Sequence, residues 1–241
     1  MGGQANTNST AGASNFDGSI QSTVRANAST GFSIVSVTAA AHADGSTVGH
    51  GLNAKPAMII EKNRDATSSW YVQHSGLGDM SGSYILLNGT GASGTDGAWN
   101  LSEPTSSVMS IDPGYIYADT DANTIYYCWA PVEGYSAFGT YTGNASTDGP
   151  FVFLGFKPAV IIFKNADSSV TQWDIYDTTR DHDNLTTTRL FPSATNAEND
   201  TYDFFDVLSN GFKIRNSSAG NNGSGNTIIY AAWASNPFKT S

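Results

Sequence analysis

One phrase of this sequence occurs twice. Lys55-Pro56-Ala57-Met58-Ile59-Ile60-Glu61-Lys62-Asn63 returns as Lys157-Pro158-Ala159-Val160-Ile161-Ile162-Phe163-Lys164-Asn165, an offset of 102 residues. Trp70-Tyr71-Val72 returns as Trp173-Asp174-Ile175, and Asn123-Thr124-Ile125 returns as Asn226-Thr227-Ile228, both at an offset of 103. Anchored on Asn-Thr-Ile, Trp129 falls one residue out of step with Trp233, which reads as a single-residue slip or bulge. Phe138-Gly139-Thr140-Tyr141-Thr142 stands opposite Ile34-Val35-Ser36-Val37-Thr38 more loosely. A nearly constant offset with freely varying spacers means a duplicated structural unit, with its pairing registers shared and its loop tips free to differ.

The repeated phrases are short apolar bursts, and their period decides the fold class. Phe32-Ser33-Ile34-Val35-Ser36-Val37 alternates, while Met58-Ile59-Ile60 after Pro56 is the denser run of a strand covered on both faces. The spacers, such as Asn88-Gly89-Thr90-Gly91 and Asp112-Pro113-Gly114, carry turn chemistry. No 11-residue window keeps a helical period. The expectation is an all-β chain of two tandem, related antiparallel β-sandwich units of about 100 residues, each with about seven or eight short strands. The expected division is an N-terminal arm at 1–30, one repeat at 31–135 and a second at 136–241, with Val132-Glu133-Gly134-Tyr135-Ser136 as a short joint. In the arm, Phe16, Ile20 and Val24 recur at a spacing of four. They mark either a loose tail or a docking arm that orders against a partner.

Charge and cysteine content remove several function classes. Lys and Arg number 11 against 21 Asp and Glu, a net charge of −10, and no basic cluster exists to meet nucleic-acid phosphates. No apolar run is long enough to insert in a membrane, and Met1-Gly2-Gly3-Gln4 opens neither a basic start nor an apolar stretch, so no secretory leader is expected. The single cysteine, Cys128, lies among Tyr127, Trp129 and apolar neighbours and reads as a buried thiol.

Candidate sites are few. His42 and His50 lie eight apart around Asp44, which matches no helical zinc pair, and both read as solvated loop residues. His74 aligns near Asp177 and so reads as a tolerant surface position. Asp119-Thr120-Asp121-Ala122-Asn123 resembles the start of a calcium loop, but Thr124 replaces the required glycine and Ala130 the final glutamate. Its counterpart is Asn222, Ser224 and Asn226, which reads as a hairpin turn. Asp181-His182-Asp183 is a second acidic loop. Asp119 with Asp121, or Asp181 with Asp183, are the pairs at which a calcium ion could sit, but no cofactor is expected. Trp70, Trp173, Trp129 and Trp233 recur in both units and suit core packing. Trp99, in the glycine-rich loop Gly94-Thr95-Asp96-Gly97-Ala98-Trp99, has no counterpart and is either a contact residue or a loop anchor. The ligand-binding candidates are therefore Trp99, Asp119, Asp121, Asp181 and His182. No nucleophile elbow, phosphate loop or HExxH is present, and nothing selects one carboxylate pair for glycoside hydrolysis.

Several phrases resemble a family of tailed-bacteriophage virion proteins common in marine and cyanobacterial phages. They are Gly155-Phe156-Lys157-Pro158-Ala159-Val160-Ile161-Ile162-Phe163-Lys164, Trp173-Asp174-Ile175-Tyr176-Asp177, Leu208-Ser209-Asn210-Gly211-Phe212-Lys213-Ile214-Arg215 and Asn236-Pro237-Phe238-Lys239. Gly134-Tyr135-Ser136-Ala137-Phe138-Gly139-Thr140-Tyr141-Thr142-Gly143-Asn144 is similar to that family's joint between units. The likeness covers residues 16–241. It implies a virion location and an adhesion or surface role, in relatives that are often the C-terminal parts of tail-fibre-like proteins. It carries no active site to transfer.

Three functions compete on this reading. The first is a non-enzymatic tail fibre or appendage subunit whose loop tips bind a host-surface glycan or protein. The second is a capsid decoration or head-fibre protein docked through the 1–30 arm. The third is a polysaccharide-modifying enzyme, for which no residue constellation speaks. The expected partners are other virion proteins, the host surface and further copies of the chain, as a homo-trimer by analogy with fibres.

Overall fold

The computed structural model describes residues 12–38, 45–95, 102–111, 123–182, 184–200 and 204–237. Among these the regular structure is β throughout, interrupted by one turn of 3-10 helix (Ser75–Leu77) and one four-residue helix, α1 (Ala219–Asn222). No helix of the described residues is long and apolar enough to cross a membrane. The chain divides into two compact units, one drawn from Met1–Ile85 and Gly94–Pro131, the other from Leu86–Ser93 and Val132–Ser241.

The first unit is an eight-stranded sheet of strands β1 (Ala13–Asn15), β2 (Ser22–Asn27), β3 (Phe32–Val37), β10 (Thr124–Trp129), β5 (Met58–Asn63), β6 (Tyr71–His74), β7 (Ser83–Leu86) and β8 (Gly94–Thr95), in that order. A separate pair, β4 (Ser46–Gly49) with β9 (Val108–Ile111), turns Val48, Met109 and Ile111 into the same core as the large sheet. Alternation does the sorting. In β2 the side chains of Ser22, Val24 and Ala26 are buried while Thr23, Arg25 and Asn27 are exposed, and in β3 Val35 and Val37 turn inward. Val24, Val35, Val37, Val48, Ile59 and Met109 are the centre of the resulting core. Cys128 lies in it with its Sγ 3.6 Å from the Met109 sulfur, and burial pushes the thiol up to about 12.

The second unit repeats the plan. Strands β11 (Ser136–Thr142), β17 (Thr227–Ala234), β13 (Pro158–Asn165) and β14 (Trp173–Asp177) stand in the order that β3, β10, β5 and β6 hold in the first. The smaller sheet is β12 (Phe151–Phe153), β16 (Gly211–Ile214) and β15 (Phe205–Leu208). Its core is aromatic: the Phe163 ring meets Tyr141, Tyr176, Phe205 and Phe212 at centroid separations of 6.2, 5.7, 5.6 and 5.3 Å, all near edge-on. Edge-to-face contacts place the positive ring rim on the negative ring face, so each adds to the burial itself.

Two expectations are corrected here. Trp129 pairs with Phe32 and Met58, and Trp233 pairs with Ser136 and Val160. The tryptophans are therefore the equivalent residues, and it is Asn-Thr-Ile that slips. A strand has a period of two, so shifting by one residue would send Tyr126 and Cys128 to the wrong face. Side-chain burial outranks the local phrase. The N-terminal segment, in turn, is no separate arm over its described part. Residues 13–15 and 22–27 form β1 and β2 of the first unit's sheet, β2 paired to β3 from Thr23↔Ser36 to Asn27↔Phe32. Val24 is 1% exposed and Ile20 packs on the same core, so both serve the unit itself, and only Phe16, 61% exposed, remains available to a partner.

Replacing Phe163 with Ala should lower the unfolding free energy by about 3–5 kcal/mol, because four ring contacts and a large buried volume disappear together. Urea unfolding followed by tryptophan fluorescence measures it, and a loss under about 1 kcal/mol would show that the aromatic cluster is not the core of this unit.

Candidate functional site

Of the candidate ligand residues, Trp99, Asp119 and Asp121 lie outside the described residues, as do Asp183 and His42. Asp181 and His182 lie inside, in the loop after β14. That loop is fastened at its root by Asp177, whose Oδ1 accepts the N–H groups of Thr179 (3.1 Å) and Arg180 (2.9 Å). The Arg180 Nε meets Asp177 Oδ2 at 2.5 Å and its Nη1 meets Glu198 Oε2 at 2.7 Å. Burial works against ionisation of Asp177, but the Arg180 and Thr179 hydrogen bonds and the Arg180 charge outweigh it and hold the carboxyl below its usual range.

Asp181 fastens the far side. Its Oδ2 accepts the N–H of Thr187, the Thr187 hydroxyl (3.0 Å) and the Thr188 N–H (2.9 Å). Here too burial opposes the charge, and the Thr187 and Thr188 bonds overcome it, so the carboxyl lies below its usual range. Asn184 pairs its side-chain amide with both backbone groups of Val207, at 2.9 and 3.0 Å, like an extra strand residue beside β15. Between these fixed points Lys157, Thr178, Asp181, His182, Asn184 and Val207 line a cleft of about 140 Å³. A drug-sized ligand or cofactor fills roughly 300–1,000 Å³, so this cleft suits one small polar group. Among the described residues, the Lys157 ammonium and the Thr178 hydroxyl have no hydrogen-bond partner. Also among the described residues, no three His, Cys, Asp or Glu side chains converge as ligands for a metal.

The family described as a domain of unknown function (DUF7483) matches residues 5–237. The chain belongs to the DUF7483 family. No curated protein and no solved structure matches it.

Other titratable groups in the DUF7483 chain serve the fold, and two expectations about histidine are overturned. His50 is fully buried, not a solvated loop residue. Its Nδ1 accepts the Leu52 N–H (3.3 Å), which leaves the ring proton on Nε2, 3.3 Å from the Thr105 carbonyl. Burial lowers its pKa and keeps the ring neutral. His74, at 1% exposure, is no surface position either: its Nδ1 accepts the Gly76 N–H at 2.9 Å. Met58↔His74 and Val160↔Asp177 are equivalent pairs, so both units end this strand with a side chain that caps the following turn. The tryptophans differ in depth. Trp173 is buried with its Nε1 on the Leu86 carbonyl (2.8 Å), while Trp70, Trp129 and Trp233 are half-buried.

A buried charge cluster escaped the sequence reading. Lys164 is fully buried, its ammonium on the Asn165 carbonyl (2.8 Å) and the Thr171 hydroxyl (3.2 Å), and burial pulls it down to about 8. Asp174, 3% exposed, is pushed up to about 6 by burial, against the pull of Arg189, whose Nη1 lies 3.3 Å away. The Arg189 guanidinium also covers the Phe204 ring at 4.5 Å. The repeat held a signal for Lys164: its counterpart Lys62 also bends back onto the following loop, to the Ser68 carbonyl at 2.6 Å. Nothing in the sequence marks Asp174, whose counterpart is Tyr71.

Asp174 sets a pH test. Its native pKa exceeds the unfolded value, so the folded state holds the proton longer, and the associated stability is complete below about pH 4 and lost as pH rises through about 6. Relative to wild type, D174N should therefore gain about 3 kcal/mol on going from pH 4 to pH 7, the equivalent of about two pKa units. Carboxylates held low, such as Asp177 and Asp181, titrate alike in both proteins and cancel. Urea midpoints at the two pH values give the answer, and an unchanged difference would place Asp174 in water.

Proposed function

We propose that this DUF7483 chain is a non-enzymatic virion surface protein of a tailed bacteriophage. In this reading it is a tail-fibre or appendage subunit of two related β-sandwich units that binds a host-surface glycan at a loop tip. The observation that carries the reading is the small cleft beside Asp181 and His182, whose lining brings Lys157, Thr178, Asp181 and Asn184 together beside a loop already fastened by its own bonds. Neighbouring sugar hydroxyls donate to a carboxylate oxygen and accept from an ammonium. A pre-fastened loop pays little ordering cost on binding. Because Asp181 is held ionised, it is suited to accept hydrogen bonds and poorly suited to donate a proton to a glycosidic oxygen, which favours binding over hydrolysis. Asp174 has the raised pKa of a general acid but is buried against Arg189, away from the cleft lining. The net charge of −10 favours neutral or amino-sugar glycans over strongly anionic ones.

The second reading, a capsid decoration docked through residues 1–30, draws support from Phe16, whose ring is exposed beside a segment otherwise bound into the first unit.

Two measurements decide. Binding of the full chain to a panel of bacterial capsular polysaccharides and lipopolysaccharides should fall about tenfold or more in the K157A/T178V variant, since truncated polar contacts of this kind each cost about 1 kcal/mol. Unchanged binding would remove the cleft from the reading, and release of reducing ends or acetate would make the chain an enzyme. Antibody labelling of intact virions should mark the tail, whereas a uniform head shell would favour decoration.

A further inference from the structure

The outer edge of β12 sets the second unit apart from the first. β12 is the last strand of its sheet, with Val152 turned into the core and Phe151 and Phe153 exposed at 47% and 66%. The Ile214 N–H donates to the Pro150 carbonyl (3.0 Å) and the Leu154 N–H to the Asn210 carbonyl (2.9 Å). Antiparallel alternation therefore turns the N–H and C=O of Phe151 and Phe153 away from β16, toward an edge that no strand of the described residues occupies.

The first unit shows what this edge accepts. Val48 opposite Met109 on β4 is the counterpart of Val152 opposite Phe212 on β12. There the chain's own N-terminal segment lies along the edge. Ile20 bridges Val48 in parallel, its N–H on the Thr47 carbonyl at 3.0 Å, and the Ser22 hydroxyl reaches the Gly49 carbonyl at 3.1 Å. The residues flanking Val48 are accordingly small, and a Cβ on Gly49 would stand 1.8 Å from Asn15 Oδ1. Where the edge is covered, Thr47 and Gly49 make room. Where it is open, the same positions hold two phenylalanines.

We propose that β12 is a self-association edge, at which a second copy of this chain adds its own β12 antiparallel about Val152. In that register Phe151 lies opposite Phe153 of the partner subunit and Phe153 opposite Phe151 of the partner subunit. Each pair is then a hydrogen-bonded pair that exchanges both N–H···O bonds, and the four rings pack on one face. A two-fold contact demands a surface complementary to itself, and this one is. Charge selects the antiparallel sense. Asp148, 83% exposed though paired with Lys213, precedes the strand, and the exposed Lys157 follows it. Antiparallel addition sets the carboxylate of one copy toward the ammonium of the other, while parallel addition would oppose like charges. The pairing uses up the edge and stops at two copies, in place of the three expected by analogy with fibres. The phenylalanine pairing is separable from the glycan reading, since Phe151 and Phe153 do not line the cleft although Lys157 does, and the association is read by sedimentation alone.

Sedimentation equilibrium of the full chain over about 1–100 µM, the range for a small interface, tests it. The wild type should fit a monomer–dimer equilibrium, and F151S/F153S should weaken it about 100-fold or more, as loss of buried aromatic anchors does. Both rings are exposed in the single chain, so at concentrations where the wild type is a monomer the variant's urea midpoint should not fall. Should that variant unfold, D148K should weaken the dimer and D148K/K157D restore it. A monomer throughout, a trimer, a phenylalanine variant that folds and dimerises like wild type, or a charge reversal that restores nothing would each overturn the proposal.

Discussion

Each unit of this protein depends on one strand bonded along both of its edges. β10 lies between β3 and β5, and β17 between β11 and β13, so the backbone groups of these strands are paired on both sides within the sheet, apart from the irregularity of β13 at Pro158–Val160. That commitment transmits register. Once Trp129 is opposite Met58 and Trp233 opposite Val160, the period of two decides which side chains of four strands enter the core, and no neighbour can slip without exposing its apolar face. The duplication is thus conserved in pairing more strictly than in residue identity. Phe163 heads an aromatic cluster where its counterpart Glu61 is a buried acid, yet both occupy the same rung of the same ladder.

The connections obey a weaker constraint, and chemistry collects there. Turns at equivalent positions are closed by a histidine ring nitrogen in one unit and a carboxylate in the other, because either can accept an N–H two residues on. In the second unit this freedom was used to build a larger loop on Asp177, Asp181 and Asn184. Every one of these side chains bonds backbone, which is why the cleft they frame has fixed walls although it lies on a loop. The edges differ for the same reason. A segment that lies along β4 in the first unit has no counterpart before β11, so β12 keeps its outward backbone groups and its two rings.

Much of this could be read before any coordinates. The strand bursts, the duplicated phrases and the buried thiol all rest on local pattern, and the architecture is all-β as that pattern demands. The misreadings share a cause. His50 looked like a solvated loop residue and His74 like a tolerant surface position, but an imidazole whose Nδ1 accepts the backbone N–H two residues on can be buried like any other satisfied polar group. Val24 and Ile20 looked like a docking stripe because their spacing is four. In a strand and a bridge, however, what matters is the sheet they extend, and a sheet edge is invisible in one dimension. Asp174 gave no signal at all, since a single acid in a strand looks alike whether it meets water or Arg189.

What the amino-acid order settled alone was the period of each segment and the fact of duplication, for both are written in neighbouring residues and constant offsets. What tertiary structure decided was which residue of one phrase answers which residue of the other, which polar groups are sealed from water, and which strand edges are left open. Those outcomes depend on contacts between segments about 100 residues apart, where packing and hydrogen-bond satisfaction outweigh local preference.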